Sequence, residues 1–161
     1  MNDATQDIAR TVVLDGLASA DLDVTPIDDQ RWMTMLAGEH KRTIPLLLEL
    51  RDRSLTITSL LAGVPDEGHA EVYRILLARN QRPAPVHFAI DDEGDIVLVG
   101  RVPRAALDAA SFDELLGLVL TWSDETFDQV LRAGFGTYLD VEQRWRAKVG
   151  LPPNPVGGAS T

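Results

Sequence analysis

The chain reads as an α+β domain, a twisted antiparallel sheet packed with helices. Three observations predict it. Between residues 32 and 61 the apolar residues fall in short β-prone runs broken by polar turns. Residues 66–102 then spell a short amphipathic helix followed by a two-stranded hairpin. Beyond residue 111 the apolar spacing lengthens to the three-and-four pattern of helices. A block of strands with helices before, within and after it calls for one sheet carrying a helical layer, in the order α-β-β-β-α-β-β-α with a further helix at the end. A chain of 161 residues holds one good core. Residues 1–150 are therefore expected to form one domain, and 151–161, LPPNPVGGAST, a mobile Pro/Gly-rich tail.

A helix over residues 5–19 opens the chain. Thr5 is placed to cap it, Asp7 sits at its positive end, and Ile8, Val12 and Leu17 trace one side, with Val13 and Leu14 broadening the face. Leu22 to Asp29 holds Pro26 and, with Asp21 before it, a cluster of aspartates (Asp23, Asp28, Asp29). It reads as a linker with a brief extended piece at 22–25. Trp32–Leu36, Arg42–Leu50 and Leu55–Leu61 follow as three strands of a meander, separated by Ala37-Gly38-Glu39-His40 and Arg51-Asp52-Arg53. In the third, Leu55, Ile57, Ser59 and Leu61 face one way and Thr56, Thr58 and Leu60 the other. Pro45 cannot donate to a ladder, which argues for an edge or a bulge.

Gly63-Val64-Pro65 ends the meander. Asp66 is placed to cap the next helix, with Glu67 in its first turn and Val72, Ile75, Leu76 and Arg79 along one face. Asn80 stops it, and Pro83 and Pro85 forbid continuation. Val86, Phe88 and Ile90 then alternate inward against Ile96, Leu98 and Gly100. Between them Asp91-Asp92-Glu93-Gly94-Asp95 supplies a glycine for positive φ and side chains that bond their own backbone. After a connection over 103–110, Ser111 and Glu114 have the spacing of a capping box. The long helix behind it carries Leu115, Leu116, Val119, Trp122, Phe127, Val130 and Leu131 and ends near Gly134-Phe135-Gly136. Residues 138–149 form one more amphipathic, strongly charged helix.

Composition narrows the function. The absence of cysteine removes disulfides, thiolate metal sites and cysteine nucleophiles, and fits a reducing cytoplasm. The opening MNDATQDIARTVVLDGLA has neither a basic nor a continuous apolar region, so no secretory signal is expected there. Runs of the roughly 18 apolar residues needed to cross a membrane do not occur. A net charge of −10 repels phosphate backbones and anionic lipid, so neither nucleic acid nor a membrane is an expected partner. Solubility alone explains such acidity.

Site chemistry is sparse. No glycine-rich phosphate loop occurs. The Asp91–Asp95 run fails as an EF-hand, because counting from Asp91 puts Gly94 at position 4 and Val102 at position 12. His40, His69 and His87 lie in a turn, at a helix start and on the outward side of a strand, with no ligand spacing among them, so no metal or other cofactor is expected. Ser54, Ser59 and Ser123 have no histidine at a suggestive spacing, and paired carboxylates such as Asp124-Glu125 read as solvated faces. Trp122 has a core period. Trp145, between Arg144 and Arg146, has none; it either folds back on its own domain or anchors a dimer or a partner.

The residues DEGHAEVYRILLARN, then VHFAIDDEGDIVLVGRVP and LTWSDETFDQVLRAGF, together with Arg31-Trp32 and Glu142-Gln143-Arg144-Trp145-Arg146, form an ordered set that resembles the actinobacterial branch of the YbjN family. The resemblance covers roughly residues 5–148. One departure is Ala84-Pro85, where the family pattern has an aromatic residue and a glycine. The family resembles type III secretion chaperones in fold, which implies a twisted antiparallel sheet with helices, pairing into a homodimer, and a non-enzymatic, protein-binding role. Asp66, Glu67, His69, Arg79 and Asn80 are the polar positions that carry the resemblance, and helix termini account for most of them.

Three functions fit. The first is a cytosolic, non-catalytic chaperone-like or regulatory module that presents a sheet face or dimer groove to another protein by strand addition or helix-in-groove contact. The alternative is a small-molecule or metal-dependent enzyme with a site assembled from His69, Glu71 and Arg79 on the mid-chain helix. The third is a structural homodimer subunit of a larger assembly.

Overall fold

In the computed structural model residues 2–155 are described, with the backbone alone for residues 2–7. Helix α1 (Asn2–Ser19) leads into strands β1 (Val24–Asp28), β2 (Arg31–Leu36), β3 (Ile44–Leu50) and β4 (Ser54–Ala62). Helix α2 (His69–Arg79) and the hairpin β5 (Val86–Ile90) and β6 (Ile96–Pro103) follow, then a 3-10 turn at Arg104–Ala106, α3 (Ala109–Gly134) and α4 (Gly136–Lys148). The strands form one antiparallel sheet in the order β1-β2-β3-β4-β6-β5. The fold is α+β, as the period change predicts.

All the helical packing falls on one face of the sheet. Trp32, Leu46, Leu48, Leu55, Ile57, Phe88 and Leu98 point from that face into a continuous core with Val13 and Leu17 of α1, Val72 and Leu76 of α2 and Phe112, Leu115, Val119 and Trp122 of α3. Gly16 is what lets α1 approach α3 so closely, because a Cβ there would run into the Phe112 ring. Alternation within each strand follows the pleat: β3 reads buried at Ile44, Leu46, Leu48 and Leu50 and half-buried between them. Leu55, Ile57, Ser59 and Leu61 are buried in β4, and the Asp91 carboxylate accepts the N–H groups of Glu93 and Asp95 in the hairpin turn.

Several local expectations change. Residues 24–28 form the edge strand β1 rather than a linker, with Val24 and Thr25 registered against Thr34 and Met33. Pro26 is tolerated because it lies on that edge. Pro45 sits in an inner strand, neither at an edge nor at a bulge; its neighbour on β2 is Met35, but the β3–β4 ladder runs only from Leu47 to Leu50. Helix α1 starts at Asn2, so Thr5 lies inside it, and the Thr5 and Asp7 side chains fall outside the described residues. Its core stripe is Ala9, Val13 and Leu17, while Ile8 is exposed. The capping box of α3 is Asp108 with Ser111 at its third position, three residues earlier than Ser111 with Glu114. Of the expected tail, residues 151–155 turn back along α4, where Asn154 exchanges hydrogen bonds with Gln143; residues 156–161 lie outside the described residues.

Candidate protein-docking surface

The face of the sheet opposite the helices carries no helix among the described residues, yet it is largely apolar. Cross-strand register assembles it in rows. One row runs Thr25, Met33, Leu47, Thr58, Val99, His87. The next runs Met35 and Pro45, then Leu60, Val97 and Ala89. Met35 and Leu60 are 51% and 43% exposed. None of Met33, Met35, Leu47, Leu60 or Val99 belongs to the core cluster, while Val97 in the same rows is buried. A third row, Arg31, Glu49, Thr56 and Arg101, borders the apolar rows with charge, and Glu49 also holds Arg51 at 3.1 Å. An apolar centre with a polar rim is the anatomy of a protein interface.

One edge of this sheet is closed. The Arg101 N–H donates to the Pro85 carbonyl, so by alternation Phe88 turns its backbone N–H and C=O away from β6. There the Asn80 side chain takes both: its Oδ1 accepts the Phe88 N–H at 2.8 Å and its Nδ2 donates to the Phe88 carbonyl at 3.0 Å. The amide imitates one residue of a neighbouring strand and blunts the β5 edge. Beside it Tyr73, Leu76, Leu77, Phe88, Ala89 and Ile90 line a groove of about 320 Å³ between α2 and β5.

The other polar positions singled out by sequence do different work. Asp66 does not cap α2. The helix begins at His69 behind Gly68, whose φ of 59° is left-handed, and the N–H groups of Asp66 and Glu67 both donate to the Gly134 carbonyl. A Cβ on Gly68 would collide with the Ala133 carbonyl oxygen, so glycine is required for the loop to lie on the end of α3. Glu67 caps a different helix: its carboxylate accepts the Thr137 N–H at 2.7 Å and the Thr137 hydroxyl at 3.1 Å, at the start of α4. Those bonds from Thr137 hold its pKa below the usual carboxylate range. His69 is exposed and meets the Tyr73 ring edge-on. Arg79 lies over the Trp122 ring at 5.5 Å and bonds Glu125, fixing α2 to α3. Trp145 stands exposed on α4.

Asp66 and Glu67 thus meet at the α3–α4 junction, Arg79 and Asn80 at the far end of α2, and Trp145 stands apart. The set His69, Glu71 and Arg79 does not converge, since Glu71 pairs with Arg74 at 2.6 Å and Arg79 with Glu125. Among the described residues no three His, Asp or Glu side chains are placed to hold a metal. Asp124, read from the sequence as part of a solvated carboxylate pair, is instead half-buried and engaged. Its carboxylate accepts the N–H groups of His40 and Lys41, both at 2.8 Å, and pins the turn between β2 and β3 to α3. Burial raises its pKa, but these bonds and one from the Glu39 N–H outweigh it, leaving the carboxyl below its ordinary value. No sequence spacing signals a contact across 83 residues.

Residues 10–132 match the family model for YbjN, described as "Putative bacterial sensory transduction regulator". The chain belongs to the YbjN family. Mycobacterial relatives agree: an uncharacterized protein of Mycobacterium bovis is 37% identical over 115 residues, 71% of this chain and 63% of its own length. One from Mycobacterium leprae is 35% identical over 120 residues, 74% of this chain and 65% of its own. The chain thus matches under two thirds of the length of these YbjN relatives. In fold, it is similar to type III secretion chaperones. A chain of the HopA1–SchA chaperone–effector complex aligns with a TM-score of 0.59 and 16% identity over 78% of this chain and 98% of that one. A chain of the ExsC–ExsE complex gives 0.56 and 19% over 76% and 92%. The heterodimeric ExoU–SpcU complex from the type III secretion system of Pseudomonas aeruginosa gives 0.51 and 23% over 74% and 94%. Among the described residues of this YbjN protein no helix is long and apolar enough to cross a membrane.

Proposed function

We propose that this protein is a non-catalytic, cytoplasmic binding module, chaperone-like or regulatory, that works as a homodimer and receives a protein partner on the open face of its sheet. The observation that carries the reading is that face: Met33, Met35, Leu47, Leu60 and Val99 lie on it across four strands, with no helix over them among the described residues. Chaperone–effector and other two-protein complexes among its structural neighbours support a protein as the occupant. The Asn80 amide makes strand addition at β5 the less accessible route, which favours the face.

A photo-crosslinking residue at position 60, compared with one at Asp113 on the helical side, tests this in cells of the source organism. A defined partner is expected at position 60 only, and Met35→Asp with Leu60→Asp is expected to abolish the complex without loss of thermal stability. Equal crosslinking at both positions, or a complex indifferent to the double substitution, overturns the assignment.

A further inference from the structure

A cavity of about 660 Å³ opens between the β2–β3 turn, the last turns of α3 and the chain that follows α4. Each wall is held in place. Asp124 fixes the turn by accepting the N–H groups of His40 and Lys41, and Nδ1 of the His40 ring meets the Asp128 carboxylate at 2.9 Å. Residues 152–155 are fastened to α4. The Gln143 side chain exchanges two hydrogen bonds with the Asn154 backbone, Asn154 Nδ2 donates to Glu142, and Arg146 donates to the Pro152 carbonyl. Phe127 and Leu131, one turn apart on α3, give the cavity an apolar lining that Pro155 extends.

Two cations on this cavity lack a counter-ion. Lys41 is half-buried, and its ammonium lies over the Phe127 ring, 4.9 Å from the centroid. Among the described residues no carboxylate pairs with Lys41 or with the neighbouring Arg42, although the chain carries 25 acids against 15 bases. The cavity's own acids do not supply the charge, since Asp128 is bonded to His40 and Glu39 is exposed. Burial of the unpaired ammonium pushes the Lys41 pKa below the ordinary lysine value, a cost that a bound anion would relieve. The apolar lining asks for more than a bare ion. We propose that this cavity binds a small organic carboxylate, its head on Lys41 and Arg42 and its hydrocarbon body against Phe127, Leu131 and Pro155. The volume suits such a guest, lying within the roughly 300–1,000 Å³ of small-molecule sites. A singly charged head fits better than a phosphate dianion, because Glu39 and Asp128 share the cavity. The site shares no residue with the rows of the open sheet face, so it stands apart from the partner assigned to that face.

The sequence provides its own reporter. Its two lysines are Lys41 and Lys148, so carbon-13 methylation, which keeps the charge, labels the cavity and leaves a control at the end of α4. Titrating octanoate into the full chain is expected to move the Lys41 methyl signal to saturation and to leave that of Lys148 in place. Octan-1-ol, which lacks the charge, and acetate, which lacks the hydrocarbon, are each expected to bind about tenfold more weakly or worse. Calorimetric titration of unlabelled protein is expected to show octanoate weakened about tenfold by Lys41→Met. Should Lys41→Met misfold, Arg42→Gln, at an exposed position, makes the same test. Octanol binding as tightly as octanoate, or affinity indifferent to both substitutions, overturns the proposal. Binding abolished by Leu77→Asp would place octanoate in the groove between α2 and β5 and overturn it as well, as would the absence of saturable binding. The crosslinking experiment on the sheet face decides the partner reading independently.

Discussion

The two faces of the sheet are written in the same strands but meet different surroundings. In β3, Leu48 points into the core and is fully buried, while its neighbour Leu47 lies on the open face and is half-buried. In β4, Ile57 and Leu61 are buried, and Leu60 between them is 43% exposed. The inner rows are almost wholly apolar, whereas the outer rows mix Met33, Met35, Leu47, Leu60 and Val99 with Thr25, Thr58, His87 and the charged row of Arg31, Glu49 and Arg101. Apolar side chains on the helical side are explained by packing within the chain. On the open side Val97 is buried, but Met35 and Leu60 are exposed and lack such an explanation, which makes the open face the surface to ask about function.

Paired substitutions sharpen that contrast most. Leu48→Ala removes side-chain volume from a closed core and is expected to destabilise the protein by about 2–5 kcal/mol. Leu47→Ala, one residue away and half-buried, is expected to cost less, about 1–2 kcal/mol, because part of its side chain already meets water and no closed cavity is left. Urea unfolding of both variants measures the gap; equal losses would mean that the outer face is covered within the chain. The next effect concerns the layer that makes the inner face a core. Gly68→Ala forces an L-residue into a left-handed conformation, at about 1–2 kcal/mol, and drives its Cβ into the Ala133 carbonyl. The expected outcome is a thermal midpoint lower by several degrees, and an unchanged midpoint would show that the α2–α3 junction yields easily.

The smallest effect is set by acid. The Asp124 and Glu67 carboxyls titrate below their ordinary values in the folded state, held down by N–H donors, so each stabilises the fold above the unfolded carboxylate range. That contribution is lost as pH falls through the folded values, below about pH 4. The difference in urea midpoint between wild type and Asp124→Asn is therefore expected to shrink as pH is lowered from about 5 to 3. A constant difference would refute the ionised acceptor. Asp124 joins the β2–β3 turn to α3, and among the described residues no helix offers the open face such a tie.

Much of this was legible in the residues. Strand alternation put Leu55, Ile57, Ser59 and Leu61 on one side together, the Gly94 turn defined the hairpin, and the period of the long helix put Trp122 in the core. The misreadings have physical causes. Pro26 and its aspartates look like a linker because an edge strand needs only one ladder. Asp66 and Ser111 look like caps because any short acceptor near a helix start does, and the chain then chose Gly68 and Asp108. The docking surface was only half legible: Thr56, Thr58 and Leu60 share one side of their strand, but nothing in the spacing says which side a helix covers.

The sequence by itself determined the local elements and the faces they share, because pleat and helix periods act over a few residues. Only the tertiary structure decided that every described helix takes the same side of the sheet, that Asn80 closes one edge, and that Glu67 caps a helix 70 residues away. Each depends on contacts between distant segments, where no spacing rule reaches and the packing of the whole chain selects among partners.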